Sequence, residues 1–190
     1  MSERRTARHR TAQPRTAPSG DGVAEAARDE ARTYRHGEDR PLRGYVLVMA
    51  VFAALVAGAA GLVAASGRRL PHGIGPWDLL LITAGTHKLA RTLSKDAVTS
   101  PIRVPFTRYS GTGGPAEVME DARTASGVRH AIGELVTCPF CLDMWIATGF
   151  AFGHVFAPRV TRLVAATFTA LAGADFLQLL YARGQQAAGA

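Results

Sequence analysis

The chain has 190 residues, 47% hydrophobic and 19% charged, with a net charge of +7 and two cysteines. Two cysteines exclude a disulfide-stapled scaffold at this length; they leave one dithiol, one disulfide or half of a metal site. The basic balance is not a nucleic-acid footprint, because lysine and arginine lie in a polar N-terminal tail and between apolar segments. Basic flanks beside membrane spans give the same balance, so the expected partner is a lipid bilayer and no nucleic acid.

Residues 1–43 contain ten arginines, seven acidic residues and almost no large apolar side chains. They cannot bury a core, and a disordered basic tail is expected. Within it, the stretch VAEAARDEARTY at 23–34 spaces acids and arginines at i,i+3 and i,i+4, which fits at most a short solvated helix. Arg4 and Arg5 resemble a twin-arginine export signal, but no apolar stretch follows for about forty residues, which argues against one.

Residues 45–65, YVLVMAVFAALVAGAAGLVAA, carry no charge. At 1.5 Å per residue they extend about 31 Å, the thickness of a hydrocarbon layer, and predict a transmembrane helix. Ala53, Ala57 and Gly61 recur every fourth residue, as do Ala50, Ala54 and Gly58. Small residues at that spacing let another helix or a second copy approach closely, which makes self-association or a protein partner a further expectation.

A turn-rich loop at 67–75 leads to Pro76, suited to a first helical turn, with Asp78 near the positive helix end. The span predicted at 76–94 is the weakest, because its clean apolar part covers only 79–86. His87, Lys88, Arg91 and Lys95 lie along one stripe. Either they snorkel into headgroups or they face a partner inside the bundle.

Residues 95–137 read as a polar loop. Pro101 and Pro105 exclude a regular helix across its start, and alternating Ile102, Val104 and Phe106 fit an extended stretch along the bilayer surface. SGTGGP at 110–115 predicts a flexible hinge, and 116–126 a short acidic surface helix. GVRHAIGEL at 127–135 predicts another helix, with His130 and Glu134 on one face. A third span is predicted at 135–157, with Asp143 near its start and His154 near its end; Pro158 and Arg159 break it. The last span, 163–182, contains Asp175, and a short tail follows at 184–190.

The loops at 67–75 and 158–162 carry only Arg68, Arg69, Arg159 and Arg162, against Arg35, Arg40 and Arg43 before the first span, seven basic residues from Lys88 to Arg129, and Arg183. That bias predicts four crossings of the cell membrane with both termini cytoplasmic. If 76–94 lies only in the interface, three crossings result. The fold class expected is an all-α, multi-pass membrane helix bundle with a disordered N-terminal tail. Its domains are the tail (1–43), a membrane helical domain (44–183) with the cytoplasmic loop, and the C-terminal tail.

The chemistry concentrates at Cys138-Pro139-Phe140-Cys141. With Cys138 as helix N-cap and Pro139 at N1, Cys141 falls at N3, where unpaired backbone N–H groups and the helix dipole stabilise a thiolate. Cys138 is expected to be the more exposed thiol. The spacing suits a redox dithiol, half of a zinc site completed by His130, His87 or a second chain, or a structural pair. Cys138 and Cys141 are thus the catalytic candidates, and Cys138, Cys141 and His130 the metal candidates; the cofactor is left open, zinc being the metal this spacing allows. Ionisable groups inside spans are costly and seek partners, so Asp143, Asp175, His87, Arg91 and Glu134 are further polar candidates, with Asp175 expected to pair with His87, Lys88 or Arg91. No Walker A loop, G-x-G-x-x-G, H-E-x-x-H or G-x-S-x-G occurs, which leaves common nucleotide and hydrolase chemistry unsupported and an enzymatic role open.

The run SKDAVTSPIRVPFTRY at 94–109, followed after a glycine-rich gap by GVRHAIGELVTCPFCLDMW at 127–145, resembles a family of small bacterial membrane proteins, domain of unknown function 1360. The resemblance covers roughly 79–181 and rests on K-D…R-x-P-F with G-E-L-x-T-C-x-x-C-x-x-x-W. The family pattern has glycine where Asp143 stands here. The resemblance implies a membrane protein with a C-x-x-C motif and assigns no activity.

Overall fold

The computed structural model describes residues 20–36, 40–123 and 127–189. Two compact units divide the chain, Met1–Arg40 and Pro41–Ala190. In the first, α1 (Gly20–Arg35) is a helix with its described side chains largely exposed. Arg32 pairs with Asp29 one turn back, and the Thr33 hydroxyl donates to the Asp29 carbonyl at 3.0 Å. Part of the stretch expected to be disordered is therefore a solvated helix, held by the local charge spacing. The expectation of disorder for residues 1–19 lies outside the described residues.

The second unit contains α2 (Leu42–Ala65), α3 (Pro76–Lys95), a 3-10 turn (Ala97–Thr99), α4 (Ser100–Arg103), β1 (Thr107–Thr112), β2 (Val118–Ala122), α5 (Gly127–Thr137), α6 (Pro139–Phe156) and α7 (Pro158–Ala187). The fold is thus mostly helical with a small antiparallel sheet, not all-α. By length and composition α2 and α7 can cross a membrane, and α5 with α6, bent by 81°, make a third candidate. α3 falls short on composition because Asp78, Lys88, Arg91 and Lys95 all lie on it.

α3 is nonetheless the centre of the bundle. Contacts with α7 advance in the same direction along both helices: Asp78 meets Arg162, Leu81 meets Thr169, and Lys88 meets Asp175. The Thr169 hydroxyl donates to the Leu81 carbonyl at 2.9 Å. Gly85 permits the close approach, since a Cβ there would lie 3.0 Å from the Ala165 carbonyl oxygen. α2 is fastened near its start, where a Cβ on Gly44 would lie 2.2 Å from the Gly127 carbonyl oxygen on α5. Phe52 of α2 then meets Trp145 of α6 edge-to-face at 5.0 Å. At the far end Arg68 donates to the Phe156 carbonyl at 3.2 Å, tying the α2–α3 loop to the end of α6.

Four local expectations are corrected. Residues 96–103 are not extended: Pro101 occupies the first turn of α4, where its missing N–H is tolerated, and Ile102 and Val104 are exposed. The predicted acidic helix at 116–126 is replaced by β2, whose residues alternate between half-buried and exposed, with the 110–115 segment shared between the end of β1 and the turn joining the strands. Gly113 N–H donates to the Glu117 carbonyl at 2.9 Å across that turn. The third predicted span is cut at Cys138, whose backbone is extended (φ −103°, ψ 106°), as a residue before proline favours. Residues 135–137 therefore belong to α5. The last helix is longer than predicted, and it continues through 184–187 of the predicted tail.

Candidate functional site

The α5–α6 joint places the two cysteines. Cys138 is the N-cap of α6, Pro139 begins the helix, and the Cys138 Sγ accepts the Cys141 backbone N–H at 3.2 Å. Both thiols are free. Their exposure reverses the expectation: Cys138 is half-buried and Cys141 is exposed. The reason is the cap itself, which turns the Cys138 side chain back over the first turn.

Beside the pair lies a cleft of about 560 Å³ between the first turns of α2 and the α5–α6 joint, lined by Tyr45, Val48, Met49, Glu134, Leu135, Thr137, Cys138 and Cys141. The Tyr45 hydroxyl donates to the Glu134 carboxylate. Glu134 also faces His130 Nε2 at 3.5 Å, so the two residues share a face as the i,i+4 spacing predicts. His130 Nδ1 sits 3.1 Å from the Arg123 carbonyl oxygen. A carbonyl only accepts, so Nδ1 carries a proton, and Nε2 is the ring nitrogen turned to Glu134. Glu134 thus lines the cleft with both cysteines, and His130 lies behind it, outside the lining. Sequence reasoning gave Glu134 and His130 but not Tyr45; an aromatic residue opening an apolar span was the available signal.

Zinc takes four ligands, and one chain brings two thiolates to this joint. Among the described residues no group of three or more His, Cys, Asp or Glu could hold a metal ion. His130 is turned to Glu134 and Arg123, and His87 is exposed on α3. Among the described residues of one chain, the pair therefore supplies two of the four ligands zinc takes.

The polar groups of the helices fall into separate places. Lys88 pairs with Asp175 at 2.8 Å, one of the partners expected for that acid. Arg91 instead reaches the hairpin, its Nε donating to Glu117 Oε1 at 3.1 Å. Asp143 has a buried Oδ1 without a hydrogen-bond partner; nothing in the structure explains that carboxylate. At the opposite end Asp78 receives two hydrogen bonds from Arg162, each 2.7 Å, with His154 Nε2 at 3.7 Å. That cluster was missed in the sequence, although the topology puts the start of α3, the end of α6 and the start of α7 at one end.

A second constellation organises the hairpin. Arg103 is fully buried. Its Nε donates to Glu120 Oε2 at 2.7 Å, Nη1 to the Leu93 carbonyl and Thr99 Oγ1 at 2.7 Å each, and Nη2 to the Asp96 carbonyl and Ser100 Oγ at 3.1 Å each. Every guanidinium nitrogen is engaged, which is what a buried arginine requires. Burial raises the cost of ionising Glu120, but hydrogen bonds from Arg103, Ser100 and Thr107 and the Arg103 charge outweigh it and hold the carboxyl below its ordinary range. Gly133 completes the junction: a Cβ there would lie 2.6 Å from the Phe106 carbonyl oxygen and 2.8 Å from Ala122 Cβ. Arg103, Phe106 and Gly133 of the sequence pattern are therefore joints of the fold, while Glu134, Cys138 and Cys141 line the cleft.

The fold and site define a helical protein with two helices able to cross a membrane, three with the bent pair, joined to a polar hairpin and bearing a dithiol at a helix mouth. The chain belongs to the family described as protein of unknown function (DUF1360), which matches residues 80–181. That region runs from α3 to α7; it includes the hairpin and dithiol and excludes α1 and α2. No curated protein and no solved structure matches the chain.

Proposed function

We infer that this is a plasma-membrane protein of four crossings, with both termini in the cytoplasm, in which Cys138 and Cys141 form a redox-active dithiol at the cytoplasmic mouth of α6. The observation that carries the redox reading is the cap: one sulfur accepts the backbone N–H of the other cysteine at 3.2 Å, and the second thiol opens beside a carboxylate-bearing cleft. An N-cap sulfur feels the helix dipole in its thiolate form, and N-cap and N3 positions are near enough for a disulfide.

The four-crossing reading is supported by the partners of the charges on α3. Asp78, Lys88 and Arg91 meet Arg162, Asp175 and Glu117, so three of the four charges on the helix are paired, and the fourth, Lys95, is its last residue. The small-residue faces of α2 offer self-association: nothing lies within 4 Å of the Cβ positions of Gly58 and Gly61.

Single Cys→Ser variants in membrane vesicles test the reading. A membrane-impermeant maleimide should label Cys141 faster than Cys138 in inverted vesicles and neither in spheroplasts. Diamide should join the wild-type pair within one chain. Labelling from outside reverses the topology. Labelling that requires chelation points to a zinc-organised interface between two chains. No reaction from either side makes the pair structural.

A further inference from the structure

We propose that the cleft beside Cys141 receives the ring of a lipophilic quinone, which the Cys138–Cys141 dithiol reduces while Glu134 and His130 relay the protons. The inference rests on the redox reading above and names its electron acceptor.

The cleft's place and lining select the ligand. Tyr45 is the first residue of the uncharged run of α2, so the cleft sits where the apolar span begins. About 560 Å³ lies within the range that holds a small ligand. Val48, Met49 and Leu135 give it apolar walls, which favour entry from lipid over entry from water. Its polar groups converge: the Tyr45 hydroxyl, the Glu134 carboxylate and the Cys141 thiol. A dithiol gives up two electrons and two protons together, and a quinone is the class of apolar molecule that accepts both. Its two ring oxygens take up the protons to be delivered, and the Tyr45 hydroxyl holds the Glu134 carboxylate that passes them on.

The Cys141 sulfur, the more exposed of the two, adds to a ring carbon as its proton passes to Glu134. His130, whose Nε2 lies 3.5 Å from Glu134 Oε1, is the next group along the relay. The Cys138 sulfur then attacks Cys141 Sγ; an S–S bond forms and the C–S bond breaks. The electron pair of the broken bond stays on the ring, and the two thiol protons complete the hydroquinone. One quinone is reduced and one disulfide is formed per chain. Cytoplasmic thiols would return the pair to the dithiol.

The full chain in liposomes, reduced and kept free of oxygen, is mixed with decyl-ubiquinone or, separately, with diamide. Quinone absorbance and alkylatable thiols are followed together. The expected result is one quinone reduced for every two thiols lost. Glu134→Gln should slow the quinone reaction about 100-fold, the usual weight of a positioned proton acceptor, while still forming the disulfide with diamide and keeping the wild-type thermal midpoint, which shows that the variant is folded. Disulfide formation with diamide but no quinone reduction would overturn the quinone inference and leave the dithiol reading standing. Failure with both oxidants would remove both. Quinone reduction unaffected by Glu134→Gln and by Tyr45→Phe would overturn the site assigned here.

Discussion

Replacing Arg103 by methionine isolates the interaction that closes the hairpin onto α3. The guanidinium is fully buried and reaches Glu120, Thr99, Ser100 and the carbonyls of Leu93 and Asp96. Methionine fills much of the same volume and donates nothing. Glu120, 5% exposed at its side chain, is then a buried carboxylate without its counter-charge. Removing one partner of such a pair costs about 3–5 kcal/mol. At tenfold per 1.4 kcal/mol, amide exchange across β1 and β2 should accelerate by about two to four decades, up to the rate of the unprotected chain. Hydrogen exchange read by mass spectrometry in detergent measures it, with residues 45–65 of α2 as the internal reference. Arg103→Lys should fall between, because one ammonium cannot reach acceptors on so many sides. Arg103→Met with Glu120→Leu should recover part of the loss, since no buried charge remains. Hairpin protection within about tenfold of wild type in Arg103→Met would refute the reasoning, because the pair would then be worth under about 1.4 kcal/mol.

Acid should loosen the same hairpin. The folded state depresses the Glu120 pKa, so its contribution is fully present above the unfolded value of about 4.3 and is lost as pH falls through the lower folded value; hairpin protection, corrected for intrinsic exchange, should drop in that window and not between pH 5 and 7. Gly133→Ala should destabilise by about 1–3 kcal/mol through overlap with Phe106 and Ala122, and Gly58→Ala should not, as thermal midpoints in detergent would show. Lys88→Met should cost about 1–2 kcal/mol, less than a fully buried pair because the Asp175 side chain is 52% exposed, with Lys88→Met and Asp175→Leu together milder than Lys88→Met alone in the same assay.

The parts read correctly from the sequence are those with local causes. Uncharged runs gave α2 and the cores of α6 and α7, and Pro139 gave the N-cap at Cys138. The i,i+4 spacing brought His130 to Glu134, and the polar stripe of α3 anticipated the Lys88–Asp175 pair. The parts that failed depend on distant residues. β2 reads as an acidic helix by composition, and becomes a strand because Glu120 must reach Arg103, 17 residues earlier, while Ala122 meets Gly133. Tyr45 lies 89 residues from Glu134, so no local pattern could join them. The bend of 81° at Cys138 follows from an extended residue before proline, but the apolar character of residues 135–137 hid it.

The central claim is that Cys138 and Cys141 work as one redox pair. The full chain in liposomes, equilibrated against a series of dithiol–disulfide buffers and then alkylated, reads the state of both thiols by mass. Both thiols should leave together, as one two-electron transition with a midpoint between about −270 and −120 mV, the range of exchanging dithiols. A midpoint below about −300 mV, or thiols that never form an intrachain disulfide, would contradict it.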